Sequence, residues 1–312
     1  MKGTATVVKN SGSHYLLSEL PSWELFPAVL RGKLRLKGSR ATNPVAVGDI
    51  VDYEAEGEIT EEHPAVITGI RDRRNAVVRR PSKLSSSSHV IAANLDQACI
   101  IATLYFPEIK LPFLDRILVS CEAFGVHPLI ILNKVDLYRP FAGEELSRFR
   151  EIYEGAGYRV IETSAVTGEG VSELSSACEG RLSLFSGESG VGKSSLIKAL
   201  DSSLNPKVAT ISTSHLRGCH TTSLYEMYRL ASGGCIIDSP GLRGFGLVQI
   251  EREETALYFP EMLRVSRDCR FTPCTHTHEP GCAVKAAVES GVISAERYNS
   301  YLGMLEEDRK FR

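Results

Sequence analysis

A chain of 312 residues is longer than one hydrophobic core usually organises, so two or three domains are expected, and 43% hydrophobic residues suffice to fill them. A formal net charge of −2 excludes a protein that coats nucleic acid by bulk charge, so any RNA contact has to come from a local basic patch. No apolar run approaches the ~18 residues that cross a bilayer, and Met1-Lys2-Gly3-Thr4-Ala5-Thr6 shows neither a secretory apolar stretch nor an Arg-rich transit pattern, so a cytoplasmic location without membrane contact is expected.

From the N-terminus to about residue 80, short alternating runs are separated by turn signals such as Asn10-Ser11-Gly12 and Val47-Gly48-Asp49. The runs Gly3 to Val8, Tyr15 to Leu17, Pro27 to Leu30, Ile50 to Tyr53 and Ala65 to Ile70 predict five short strands, and an OB-fold β-barrel is the economical way to close them. Arg31, Lys33, Arg35 and Lys37 would project from one side of an extended strand, as a row suited to a phosphate backbone or as a solvated face. Arg71, Arg73, Arg74, Arg79, Arg80 and Lys83 make a second basic group. Pro81-Ser82-Lys83-Leu84-Ser85-Ser86-Ser87-Ser88 has linker composition and marks the expected end of this domain.

Beyond it, strands alternate with helices: strand Gln97 to Thr103, helix Leu111 to Phe124, strand Leu129 to Leu132, helix Glu144 to Tyr153, strand Arg159 to Ile161 and helix Val171 to Cys178. Such βαβ alternation predicts a parallel sheet with helices on both faces, over residues 89–250. Asn133-Lys134-Val135-Asp136 follows one strand end, where open α/β sheets place ligand loops. The Asp136 carboxylate can accept from N1–H and the exocyclic amine of guanine, which adenine does not offer in that arrangement. An unpaired buried acceptor costs about 1–3 kcal/mol, so one aspartate discriminates the bases. Asn133 would brace the loop and the Lys134 stem would lie along the base. Thr163-Ser164-Ala165, at the next strand end, supplies a backbone N–H for the guanine O6.

The apolar run Leu182 to Phe185 then leads into Gly187-Glu188-Ser189-Gly190-Val191-Gly192-Lys193-Ser194 and a helix from Ser195 to Leu200. Strand, loop, Lys-Ser and helix in register make a phosphate-binding loop, with backbone N–H groups and a helix N-terminus converging on phosphate oxygens. Lys193 can reach the β- and γ-phosphates, and the Ser194 hydroxyl can take a place on Mg²⁺. Thr210 to Ser223 is Ser/Thr-rich with little periodicity, the character of a switch loop. Either Thr221 or Thr222 can carry the hydroxyl that meets the nucleotide and Mg²⁺, Thr222 being the first choice for the metal. The strand Cys235-Ile236-Ile237 ends in Asp238-Ser239-Pro240-Gly241, where Asp238 can hold Mg²⁺ and the Gly241 N–H can reach the γ-phosphate.

Eight cysteines in a chain this long are no disulfide scaffold. Cys99, Cys121, Cys178, Cys219 and Cys235 lie scattered in mostly apolar surroundings and read as buried thiols. Cys269-x₄-Cys274-x-His276-x₅-Cys282, in contrast, offers three thiolates and an imidazole, the ligand set of one closed structural zinc site, with His278 as an alternative imidazole. Helical runs Ala283 to Ser290 and Ala295 to Leu305 complete a small zinc-binding helical domain over 251–312.

The order N-K-x-D, T-S-A, phosphate loop, H-T-T, D-x-P-G resembles a GTPase whose elements are circularly permuted. With a β-barrel before it and the Cys/His cluster after it, the whole chain resembles the ribosome-biogenesis GTPases of the RsgA (YjeQ) family. The resemblance implies a cytoplasmic enzyme that binds GTP and GDP, engages the small ribosomal subunit and its rRNA late in maturation, and is stimulated by that subunit; a monomer is expected. It also supports Cys269, Cys274, His276 and Cys282 as the zinc ligands. Leu242 follows the D-x-P-G glycine and cannot hold water by hydrogen bonding. The family's H-T-T motif therefore suggests His220 as the catalytic group beside Lys193 and Thr222. Cys219 departs from the family pattern, which has a larger, often basic residue there. Two other readings stand beside this one: a phosphate-loop kinase or ATPase, which Asp136 opposes, and an RNA-binding module in which nucleotide is only structural.

Overall fold

The computed structural model describes residues 1–30, 44–79, 89–204, 225–239 and 250–310. Five strands, β1 (Lys2–Asn10), β2 (His14–Ser18), β3 (Leu25–Leu30), β4 (Ile50–Glu54) and β5 (Ala65–Ile70), fall where the alternation predicts them. They close on themselves because β1 pairs antiparallel with both β2 and β4, while β3 and β5 run parallel and β4 returns antiparallel to β5. Inward-pointing Val7, Leu17, Val51, Tyr53 and Ile67 fill the barrel. The row Arg31, Lys33, Arg35, Lys37 lies outside the described residues, as do Arg80 and Lys83.

Three members of the second basic group turn out to be committed to carboxylates. Arg71 pairs with Asp52 at 3.0 Å, Arg73 with the fully buried Asp49 at 2.6 Å and Arg74 with Asp96 at 2.7 Å. The first two pairs hold the barrel's last strand to the segment around β4, and the third fastens the barrel to the strand that enters the sheet. A two-stranded ribbon that the sequence pattern does not reveal, β6 (Ala76–Arg79) with β7 (His89–Ala93), flanks the expected linker, and Ala92 bridges to Val47 of the barrel segment.

The central layer contains β8 (Gln97–Ala102), α1 (Leu111–Ala123), β9 (His127–Leu132), α2 (Val135–Tyr138), α3 (Gly143–Ala156), β10 (Arg159–Glu162), α4 (Val171–Cys178), β11 (Leu182–Gly187), α5 (Lys193–Leu200), β12 (Tyr225–Arg229) and β13 (Cys235–Asp238). Its strand order is β10-β9-β8-β11-β13-β12, parallel throughout except for β12, which runs antiparallel to β13. Both faces are covered, so the strands read as unbroken apolar runs. Ala98 and Ile100 enter one core while Cys99 and Ile101 enter the other. Cys99, Cys121 and Cys178 are buried as expected, Cys235 is half-buried, and Cys219 is outside the described residues. Beyond the permuted sheet, β12 also pairs with β1 of the barrel, in the register Lys9↔Glu226 and Asn10↔Tyr225. Barrel and sheet thereby share one hydrogen-bonded surface of eleven strands.

A 3-10 helix (Arg252–Tyr258), α6 (Pro260–Ser266), α7 (Ala283–Glu289) and α8 (Ala295–Lys310) complete the chain. Among the described residues no helix is long and apolar enough to cross a membrane. Arg297 of α8 is 1% exposed and anchors this segment on the sheet. Its guanidinium donates to Asp115 Oδ1 on α1 at 2.9 Å and to Glu261 on α6 at 2.7 and 3.2 Å, 4.5 Å from the centre of the Phe259 ring. The Tyr153 hydroxyl donates to the same Asp115 oxygen at 3.0 Å. One cation thus holds two buried carboxylates. Burial pushes the Asp115 carboxyl up, and Arg297 acts against that shift.

Because removing one partner of a buried charge cluster leaves the others uncompensated, Arg297→Met is expected to lower the unfolding free energy by about 3–5 kcal/mol in denaturant titrations. Stability gained by holding a proton on a carboxyl with a raised folded pKa is present below its ordinary value of 3.8 and lost as pH rises through the raised value. The variant's deficit should therefore shrink on acidification, and a deficit independent of pH would count against this account.

Candidate nucleotide and metal sites

Four loops leave the carboxyl edge of the sheet, after β9, β10, β11 and β13, and each carries one of the sequence motifs. The first three are packed against one another. Asn133 is 1% exposed. Its Nδ2 donates to the Val191 carbonyl of the phosphate loop at 2.8 Å, and its Oδ1 accepts from the Thr163 hydroxyl at 3.0 Å. The Tyr138 hydroxyl donates to the Asn133 carbonyl at 3.0 Å. One carboxamide therefore ties the N-K-x-D loop, the T-S-A loop and the phosphate loop together.

Lys134 sits at φ 62°, a left-handed conformation that a side chain adopts only when its surroundings hold it there. Its Nζ provides that hold, donating to the Gly190 carbonyl at 2.5 Å and to the Phe106 carbonyl at 2.7 Å. The Phe106 carbonyl and the Tyr138 hydroxyl are partners that sequence reasoning misses, because neither belongs to a motif. Asp136 lies half-buried in the first turn of α2, directly after this clasp. Ser164 is buried and its hydroxyl accepts from the Thr167 N–H at 3.1 Å, while Ala165 packs at the edge of the second core.

Gly192 shows why the phosphate loop needs its last glycine. Its φ is +89°, and a Cβ there would stand 2.5 Å from Asn133 Nδ2. Glu188, Ser189 and Gly190 lie along the rim, and α5 begins at Lys193, so Ser194 and Ser195 occupy its first turn. That turn leaves its N–H groups for an external acceptor. Lys193 Nζ is ion-paired with Asp238, so the phosphate-loop lysine and the D-x-P-G aspartate are in direct contact. Burial raises the Asp238 carboxyl from its ordinary value, and Lys193 opposes the rise. His220, Thr221, Thr222, Gly241 and Leu242 lie outside the described residues.

The second cluster is in the C-terminal segment. One ligand atom from each of Cys269, Cys274, His276 and Cys282 falls within 4.8 Å of the others. His276 Nδ1 is 3.6 Å from Cys269 Sγ and 3.4 Å from Cys282 Sγ, and those two sulfurs are 4.0 Å apart. A tetrahedral ion with bonds of about 2.3 Å to sulfur and about 2.0 Å to nitrogen sets its ligands roughly 3.5–3.8 Å apart, so the four residues can hold a metal ion. Burial and the neighbouring thiols push Cys274 up to about 12, so a cation is what would keep that sulfur as a thiolate at neutral pH. Burial lowers His276, favouring the neutral imidazole that ligates.

The surrounding loop is fixed from two sides. Tyr298 and Tyr301 of α8 donate to the His276 and Thr275 carbonyls at 2.6 and 2.7 Å. Although burial disfavours its charge, Glu279 is held far below the usual carboxylate range by the Thr275 hydroxyl and by backbone N–H groups of the loop. His278, the alternative imidazole, is exposed and bonds to the Thr277 hydroxyl at 2.9 Å instead.

The family model described as RsgA GTPase matches residues 70–248. A small ribosomal subunit biogenesis GTPase RsgA of Bacteroides fragilis is 46% identical over 314 aligned positions, covering 100% of this chain and 99% of the relative. One from Flavobacterium psychrophilum is 41% identical, covering 98% and 93%. The crystal structure of YjeQ from Thermotoga maritima superposes with a TM-score of 0.79 at 30% identity over 98% of both chains. YloQ, described as a circularly permuted GTPase, superposes at 0.76 with 27% identity, covering 100% of this chain and 96% of its own. Motif order, sheet order and full-length similarity agree, and the chain belongs to the RsgA GTPase family.

Proposed function

We propose that the protein is a cytoplasmic, monomeric GTPase that binds the small ribosomal subunit, hydrolyses GTP during late subunit maturation and is stimulated by the subunit. The observation that supports this reading best is the direct clasp of the N-K-x-D loop on the phosphate loop through Asn133 and Lys134, in a chain whose relatives are named for that role.

In this reading Asp136 takes the guanine edge and the Ala165 N–H its O6, with Ser164 shaping the loop. Residues Gly187 to Ser195 cradle the phosphates, and Lys193 leaves Asp238 for the β- and γ-phosphates. Mg²⁺ would supply charge neutralisation to the phosphates, and Ser194, Asp238 and a switch-loop threonine, Thr222 or Thr221, would hold it. The Gly241 N–H meets the γ-phosphate. His220 orients the attacking water once the subunit orders the switch loop, since Leu242 offers no hydrogen bond. Zinc is the ion that the three-thiolate, one-imidazole set of the C-terminal segment fits best, in a structural role. Residues 1–80, 89–250 and 251–312 serve as rRNA-binding barrel, GTPase domain and zinc domain, with Arg31, Lys33, Arg35 and Lys37 on the rRNA.

Turnover measured with and without small subunits tests the whole: GTP hydrolysis should rise on adding subunits, and Lys193→Ala should abolish it in both conditions. His220→Ala should still bind GTP but lose the stimulation; full stimulation in that variant removes His220 from the mechanism. With Asp136→Ala, loss of a paired buried acceptor worth about 1–3 kcal/mol predicts GTP binding weaker by about 5- to 150-fold with ATP binding no worse. Stripping the metal with a chelator should expose the C-terminal segment to protease before the sheet, because structural zinc contributes on the order of 10 kcal/mol to so small a unit.

A further inference from the structure

Three strands carry a row of charges across the boundary between barrel and sheet. In the antiparallel pair β1 and β12, Lys9 stands opposite Glu226, and in the pair β12 and β13, Glu226 stands opposite Asp238. Directly opposed residues point to the same face of a sheet. The flanking residues corroborate the face: Val8, Met227 and Ile237 all enter the core on the other side. Lys9 Nζ lies 3.0 Å from Glu226 Oε1, with both side chains about three-quarters buried (23% and 28% exposed), and Asp238 closes the row on Lys193. The sequence of signs is plus, minus, minus, plus. Like charges thus occupy opposed positions on β12 and β13, and each carboxylate has its own lysine.

The outer lysines differ in kind. Lys193 belongs to the phosphate loop, and a triphosphate claims it. Lys9 belongs to the barrel, so the charge left facing Asp238 depends on whether the barrel keeps Glu226 neutralised. We propose that Glu226 is a positioning residue for the cation-holding Asp238, and that Lys9 of the barrel sets, through Glu226, how tightly the nucleotide site holds its divalent cation. The inference rests on the assignment of Asp238 to Mg²⁺ under the proposed function and adds a residue pair outside every nucleotide motif. The Tyr228 hydroxyl, 3.4 Å from Glu226 Oε2, restrains the carboxylate on the same face.

The test is the Mg²⁺ concentration for half-maximal binding of a fluorescent guanine nucleotide, measured on the full chain and on near-isosteric variants. Lys9→Met and Glu226→Gln break the same ion pair but leave opposite charges behind. Lys9→Met unmasks an acid beside Asp238 and should lower the Mg²⁺ requirement by about 3- to 10-fold, and Glu226→Gln should raise it by a similar factor. Lys9→Arg retains the charge and should restore wild-type behaviour. Thermal unfolding should show the two neutralising variants similarly affected, since each loses one contact between β1 and β12. A merely structural pair would shift the Mg²⁺ requirement in the same direction in both variants, or in neither, and either outcome overturns the inference while leaving the nucleotide site intact. Should the wild-type chain bind guanine nucleotide with no dependence on Mg²⁺, the assignment of Asp238 fails first and the inference with it.

Discussion

The buried carboxamide of Asn133 is the constraint on which the nucleotide site depends. It has one donor group and one acceptor, and it uses them on two different loops, the Val191 carbonyl and the Thr163 hydroxyl. A buried amide left unpaired costs about as much as a typical destabilising mutation, so those loops are not free to drift apart without a penalty of ~1–3 kcal/mol. Gly192 is the corollary: only a residue without Cβ lets the phosphate loop come close enough for that bond. Lys134 adds a second tie from a left-handed backbone, and its strain is offset by two carbonyl bonds in the same pocket. The N-K-x-D loop and the phosphate loop are therefore held together by protein contacts alone.

Circular permutation leaves that pocket intact because sheet position, not chain order, determines what the loops meet. Strand β11 is central, with β8 and β13 beside it, and the motif loops after β9, β10, β11 and β13 leave from the same edge. Permutation instead changes what is attached. The chain enters through the barrel, whose β1 extends the sheet beyond β12, and exits from β13 toward the metal cluster. Two attachments of different chemistry result. At the barrel, backbone pairing and the Lys9–Glu226 ion pair hold the joint, with Val8 contributing apolar burial. At the other end Arg297 is almost wholly removed from water, and its two carboxylates, three neighbouring rings and α1 leave it little alternative arrangement.

Motifs that act locally were readable from residues alone. The phosphate loop, the N-K-x-D loop and the Cys/His cluster each need their chemistry within a few positions, and alternation or helical period marked the barrel strands and most sheet elements to within a few residues. Pairings between distant segments left no such trace. Lys9 and Glu226 are 217 positions apart, Arg297 and Asp115 182, and nothing in either neighbourhood announces a partner. Hence Arg71, Arg73 and Arg74 read as a basic patch when they are spent on Asp52, Asp49 and Asp96. The β6–β7 ribbon escaped for a related reason: each strand is short, and the Ser-rich stretch between them carries linker composition.

The contrast between the two ends bears on how a signal could travel. A buried cluster such as that of Arg297 resists partial change, since moving one member strands the others. The Lys9 and Glu226 pair is different: it is a single pair, about a quarter exposed, and its loss changes the charge on the row that ends at Asp238. The two attachments thus differ in kind, a buried charge cluster toward the metal-binding segment and a partly exposed ion pair at the barrel. The same sheet edge can receive both because β13 ends between them, its Asp238 facing the phosphate loop on one side and Glu226 on the other.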